Sequence, residues 1–200
     1  MTSPQLPPIT IAILAGGKSR RMGRDKTALI IDGETLLERT ARATLGMGLP
    51  VVVVGLIRPD GWMLDSVQFM PDAMGDLGPL GGLVTALRHE VGCGVLLLAC
   101  DLPKLTTRAI AWLLDAARAN SGPDGLIVEN AERREPLFSL YAAQSLALAE
   151  ARIAADRLSM NGLIETGDFA TITAPNWIQE HLVNVNTPED FQPFDVSKPG

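Results

Sequence analysis

Apolar, β-branched runs recur along the chain: ITIAIL at 9–14, VVVVGLI at 51–57, VLLLAC at 95–100 and GLIVE at 125–129. They lack the polar alternation of a half-exposed strand and so read as strands buried on both faces, as in a parallel sheet. Between them the apolar positions follow a helical period. In ETLLERTARATLGMG (34–48), Leu37, Ala41 and Leu45 recur at i, i+4 and i+8, and glycine stops the pattern. GPLGGLVTALRHEVG (78–92) and TTRAIAWLLDAARANSG (106–122) behave likewise, the second opening on Thr and closing before Gly. This alternation predicts an α/β fold: a single-domain, mostly parallel, doubly wound (Rossmann-like) sheet with helices on both faces. No repeat or long linker interrupts it. The domain is expected to span 9–192, between Pro-rich, poorly ordered tails at 1–8 and 193–200.

Ligands of such sheets bind beyond the carboxyl ends of the strands. Three features fall at such ends: the loop AGGKSRRMGRDK after the first strand, Asp101 after VLLLAC, and Asn184 and Asn186 after the apolar HLV at 181–183. The loop is the most unusual. Lys18, Arg20, Arg21, Arg24 and Lys26 crowd against a single Asp25 in a chain whose net charge is −6. Like charges that close call for a multiply charged anion or for open solvent.

Composition narrows the classes. The 200 residues are 46% hydrophobic and 20% charged, which is a globular balance, and with aromatics at 4% the core must rest on Leu, Val, Ile and Ala. The acidic total, with a pI near 4.9, argues against a nucleic-acid partner. Two cysteines, Cys93 and Cys100, are too few for a disulfide framework. With no signal peptide and no apolar run near ~18 residues, the expectation is a cytoplasmic protein without a membrane span.

The generic phosphate loop G-x-x-x-x-G-K-[ST] would need glycine at position 12, where Ala12 stands inside the first strand. The dinucleotide fingerprint G-x-G-x-x-G fails as well, because Gly16 and Gly17 are adjacent. What remains is a strand, a two-glycine turn and a long basic loop. Glycine backbone can approach a ligand closely and turn its N–H groups toward phosphate, with the cations beyond reaching the outer phosphates of a triphosphate. A carboxylate such as Asp101 at a strand end beside a triphosphate is a natural Mg²⁺ ligand, or a cap on the following turn. Asp72, after VQFM, faces the same two readings.

LAGGKSRRMGRDKTAL, PDAMGDLGPLGGL, CDLP and NVNTPEDF, in that order over residues 9–191, resemble the nucleotidyltransferases of the molybdenum cofactor guanylyltransferase (MobA) type. The wider superfamily includes cytidylyl- and uridylyltransferases. The resemblance implies a nucleotidyltransferase-type sheet. It implies that Leu14, Ala15, Gly16 and Gly17 lie along the nucleotide, and that Arg21 and Lys26 grip its β- and γ-phosphates. By the same likeness Asp72 holds the guanosine, with the GPLGG turn (78–82) and its Gly81 beside the base, the glycines leaving room for the ring. Asp101 holds Mg²⁺ with Asn186 as second metal-side ligand, and Asn184 nearby; the asparagine pair could equally form a turn and N-cap before TPED. The implied chemistry is attack by the terminal phosphate of molybdopterin on the α-phosphorus of GTP, displacing pyrophosphate. The attacking group is already an anion, so no Ser, Cys or His need activate it. That suits a chain whose histidines, His89 and His181, sit at a helix end and before an apolar run. Hand-over contacts with other cofactor-assembly proteins are implied, and neither nucleic acid nor membrane.

One position departs from the family's V-V-V-N-A-N-R pattern: Gly55 stands in place of its asparagine. RREPLFSLY (133–141) and ADRLSMNGL (155–163) match the pterin-side elements loosely. Two alternatives stay open: the same fold with CTP or another NTP on a molybdopterin or a sugar or alcohol phosphate, or a non-catalytic nucleotide- and pterin-binding adaptor.

Overall fold

A computed structural model describes residues 7–15, 30–75, 77–130 and 133–183. The sheet is ordered β5 (Val67–Met70), β4 (Val51–Val54), β1 (Ile9–Leu14), β6 (Gly94–Ala99) and β8 (Phe138–Tyr141). The first four are parallel and β8 is antiparallel to β6. Beyond β8 lies β7 (Gly125–Glu129), tied to it by Ala142 N–H to Asp124 O (2.9 Å) and Glu135 N–H to Val128 O (2.7 Å). β9 (Phe169–Thr173) pairs with β7 in parallel. The expected doubly wound sheet is therefore present, with β8 its antiparallel member.

Period-two alternation sends neighbouring residues of each strand to opposite faces. Ile11, Ile13, Val51, Val53, Leu96 and Leu98 pack with Leu37 and Ala41 of α1 (Leu36–Leu45) and with Ile110 and Leu113 of α3 (Thr107–Asn120). Ala12, Leu14, Val52, Val54 and Leu97 pack on the other face. Their partners there are Leu80, Leu83 and Val84 of α2 (Gly78–His89), Ala149 of α4 (Ser145–Ala154) and Leu163 of α5 (Met160–Thr166). Two apolar layers thus clamp strands that are themselves almost wholly apolar.

Element limits moved where turn chemistry intervened. The helix expected from 34 starts at Leu36, because Glu34–Thr35 (β3) first pairs with Ile30–Ile31 (β2). Asp32 and Gly33, both at positive φ (52° and 82°), turn the chain between them, as an Asp-Gly hairpin does. Thr35 then closes a capping box with Glu38. The run at 51–57 yields a strand only to Val54, since Gly55 takes φ 101°. GPLGG proves to be no turn but the opening of α2, with Pro79 in its first turn. The apolar HLV at 181–183 is not a strand either; it follows the short helix α6 (Asn176–Gln179), with Leu182 buried against the core. At the amino end, the Pro8 carbonyl already accepts a hydrogen bond from Gly94 N–H (2.8 Å). The tail at 193–200 lies outside the described residues. Among the described residues no helix is long and apolar enough to cross a membrane.

Candidate functional site

The carboxyl ends of β1, β4, β5 and β6 carry the candidate residues side by side. At β1, Leu14 and Ala15 are buried, and Ala15 N–H donates to Val54 O (3.0 Å), which carries the sheet edge one residue past the strand. Gly16, Gly17, Arg21 and Lys26, which follow, lie outside the described residues, as do Asn184 and Asn186.

After β5, Asp72 does two things at once. Its Oδ1 accepts hydrogen bonds from Met74 N–H (2.9 Å) and from the Thr85 hydroxyl (2.7 Å). The first fixes the turn; the second ties the turn to α2, thirteen residues on. Its Oδ2 has no hydrogen bond among the described residues and lies 3.7 Å from the point where a Cβ on Gly81 would stand. That point is also 2.9 Å from the Leu77 Cβ and 3.2 Å from the Met74 Cβ, so glycine at 81 lets the Asp72 loop close onto the helix. Gly82 does the same for Leu14, whose Cδ2 would meet a Cβ there at 2.8 Å. The room these glycines leave is thus taken by Asp72, Leu77, Met74 and Leu14 of the chain itself. Thr85 was not singled out from sequence, because its link to Asp72 is tertiary.

After β6, the turn bearing Asp101 is fixed from several directions. Thr40 of α1 donates to Leu36 O (3.0 Å) and approaches Cys100 O (3.4 Å). Leu102 is buried, and Leu105 N–H closes the turn on Leu102 O (3.1 Å). Asp101 is half-buried, with Oδ1 withdrawn from solvent. No group of three or more His, Cys, Asp or Glu side chains gathers to hold a metal among the described residues. A single carboxylate fits Mg²⁺, which takes one or two protein carboxylates and completes its octahedron with phosphate oxygens and water.

Gly55, after β4, donates its N–H to Met70 O (2.9 Å) at φ 101°. A side chain rarely tolerates that backbone, which accounts for glycine where the related pattern has asparagine. Gly55→Asn is expected to cost ~1–2 kcal/mol of strain and to lower the thermal midpoint by roughly 2–8 °C at this chain length. A thermal melt beside wild type checks it; an unchanged midpoint would mean that the loop relaxes freely.

A second polar cluster stands beyond β6, in the hairpin between β7 and β8. Glu135 Oε1 accepts from Arg133 Nε (2.9 Å) and from Asn130 Nδ2 (2.9 Å), and Arg133 N–H donates to Asn130 Oδ1 (2.9 Å). Burial raises the Glu135 carboxyl above its ordinary pKa, against the opposing pull of Arg133. The hairpin is pinned beneath by Ser139 Oγ to Glu135 O (2.8 Å) and by the Tyr141 hydroxyl to Pro136 O (3.0 Å). Tyr141 is wholly buried, and burial drives its pKa up, so it stays a neutral donor. The sequence pointed to 133–141 but not to the Arg133–Glu135 pair.

Residues 11–167 match the family model of the MobA-like NTP transferase domain. A molybdenum cofactor guanylyltransferase of Pseudomonas putida is 34% identical over 192 residues, covering 93% of this chain and 97% of that one. A probable molybdenum cofactor guanylyltransferase of Opitutus terrae is 33% identical over 186 residues, covering 90% and 91%. Among solved structures, the molybdopterin-guanine dinucleotide biosynthesis protein A of Archaeoglobus fulgidus superposes with a TM-score of 0.73 at 22% identity, over 93% of this chain and 96% of that one. The 2-C-methyl-D-erythritol 4-phosphate cytidylyltransferase of Thermus thermophilus superposes at 0.63 and 17% identity, over 95% and 98%.

Proposed function

Because the chain belongs to the MobA-like NTP transferase family, we propose that this nucleotidyltransferase moves GMP from GTP to the terminal phosphate of molybdopterin and releases pyrophosphate. The product is the guanine dinucleotide form of the molybdenum cofactor. The observation that carries the reading is the row of groups along one sheet edge: Leu14 and Ala15 at β1, Asp72 at β5 and Asp101 at β6. Relatives that share a third of their residues over nearly the whole chain bear names of this activity.

In this reading Leu14, Ala15, Gly16 and Gly17 line the nucleotide, and Asp72 offers its Oδ2 to the N–H edge of the base. Arg21 and Lys26 hold the β- and γ-phosphates and offset the charge on the leaving pyrophosphate. An oxygen of the acceptor phosphate forms the new bond to the α-phosphorus as the bond to the β-phosphate oxygen breaks. No proton needs removing, so positioning and charge neutralisation carry the rate. Asp101, with Asn186, would hold Mg²⁺. Bound there, the metal would supply charge neutralisation for the reacting phosphates. The reading places the work in the cytoplasm, with molybdopterin handed over by other proteins of cofactor assembly.

The test is pyrophosphate release from each of GTP, CTP, UTP and ATP with Mg²⁺ and molybdopterin. Release with GTP alone supports the reading. Release with CTP would move the protein to a sister activity, with Gly55 the first position to examine. No release from any nucleotide would sink nucleotidyl transfer to this acceptor and favour an adaptor.

A further inference from the structure

A threonine inside a helix ordinarily turns its hydroxyl back onto a carbonyl of the preceding turn. Thr40 of α1 does so on Leu36 O (3.0 Å), and Thr166 of α5 on Gly162 O (2.9 Å). Thr85 of α2 does not. It is 5% exposed, and its hydroxyl leaves its own helix for Asp72 Oδ1, thirteen residues earlier, at 2.7 Å. That is the short contact of a hydroxyl with a carboxylate.

The consequence falls on Asp72. The last torsion of an aspartate side chain is soft, so the carboxylate plane is set by what its oxygens accept. The Met74 N–H (2.9 Å) closes a local turn that either oxygen could complete. Thr85, donating from the helix, selects Oδ1. The two donors together fill the lone-pair sites of that oxygen. Oδ2 is then the accepting oxygen, 3.7 Å from the point where a Cβ on Gly81 would stand. At the neighbouring strand ends Leu14 and Ala15 are apolar and Gly55 has no side chain. Among these strand-end residues a base is read through one anionic oxygen. Such an acceptor separates bases by sign: guanine turns N1–H and its 2-amino group toward it, whereas adenine turns the N1 lone pair.

We propose that Thr85 is a positioning residue for base selection: its hydroxyl fixes which oxygen of Asp72 faces the base. It thereby sets the preference for a purine that presents N–H donors there over one that presents a lone pair. That a base lies there rests on the nucleotidyl-transfer reading above; the geometry of Thr85 and Asp72 does not.

The test is calorimetric titration with GTP and with ATP, in Mg²⁺ and without acceptor, of wild type, Thr85→Val and Thr85→Ser. Valine keeps the branched shape and removes the donor. Thr85→Val is expected to weaken GTP by about 10-fold, the usual effect of losing a hydrogen bond to a charged group, and to leave ATP within about twofold. Thr85→Ser, which keeps the hydroxyl, should hold GTP within about threefold of wild type. On an Asp72→Ala background Thr85→Val should change GTP affinity by less than about twofold, because the hydroxyl acts through the carboxylate. In the transfer assay the loss should fall on the GTP KM with kcat kept, since the base lies away from the reacting phosphates. Equal GTP affinity of Thr85→Val and wild type would overturn the proposal. So would equal weakening of GTP and ATP, or an undiminished loss on the Asp72→Ala background, either of which would make Thr85 a packing residue only. Wild type that prefers GTP to ATP but transfers no GMP would sink the function and leave the role of Thr85 standing.

Discussion

Asp101→Ala is expected to lower kcat for GMP transfer by about 10²- to 10³-fold, the loss seen when one preorganised charge-stabilising group is removed. The turn around Asp101 is held by Leu102, by the Leu105–Leu102 hydrogen bond and by Thr40 at Cys100 O. None of these uses the carboxylate, so the backbone of the turn keeps these supports in the variant. Asp101→Asn keeps the shape and discards the charge, and should fall nearly as far. The two variants together separate charge from packing. Lys26→Ala, argued from sequence, should produce a loss of the same order, with the defect concentrated in pyrophosphate departure. If Asp101→Ala retained most of its turnover at saturating Mg²⁺ and GTP, the carboxylate would be a turn cap, the other reading its position allows. The decisive measurement is kcat by pyrophosphate release, with a thermal melt alongside.

What was legible in the sequence follows a physical rule. Strands buried on both faces show no polar alternation to blur them, so β1 and β7 were bounded to the residue, at Ile9–Leu14 and Gly125–Glu129. β9 escaped notice because it is partly exposed along its length, and FATIT alternates only weakly. HLV at 181–183 misled because three apolar residues fit a strand or a loop that tucks one leucine into the core. The candidate residues at the carboxyl ends of β1, β5 and β6 were readable because they follow strands directly. The hydrogen bond that ties Asp72 to α2 was not, since Thr85 reaches it only through the tertiary fold. The GPLGG glycines were read as leaving room for a base; what approaches Gly81 and Gly82 in the described residues is the chain itself.

Gly125→Ala is expected to be the most destabilising single substitution argued from this structure. Gly125 opens β7 at φ 131°, a backbone conformation closed to side chains whatever the space. Here the space is also absent. A Cβ would run into the Leu140 carbonyl oxygen, with the Leu140 carbonyl carbon at 3.0 Å and the Tyr141 Cα at 3.1 Å. All three are backbone atoms of a paired strand, so no rotamer change relieves the clash. β7 would have to move off β8, and Leu126, Ile127 and Val128, fully buried behind it, would move with it. The loss should exceed about 4 kcal/mol, the exceptional end of single-residue effects. At roughly 2–4 °C per kcal/mol for a chain of this size, the midpoint should drop by ~10 °C or more. Gly92→Ala is the matched control: its φ is 79° but no atom lies within 4 Å of the new Cβ, so only strain of ~1–3 kcal/mol remains. A melt within a few degrees of wild type would show that β7 and β8 tolerate separation.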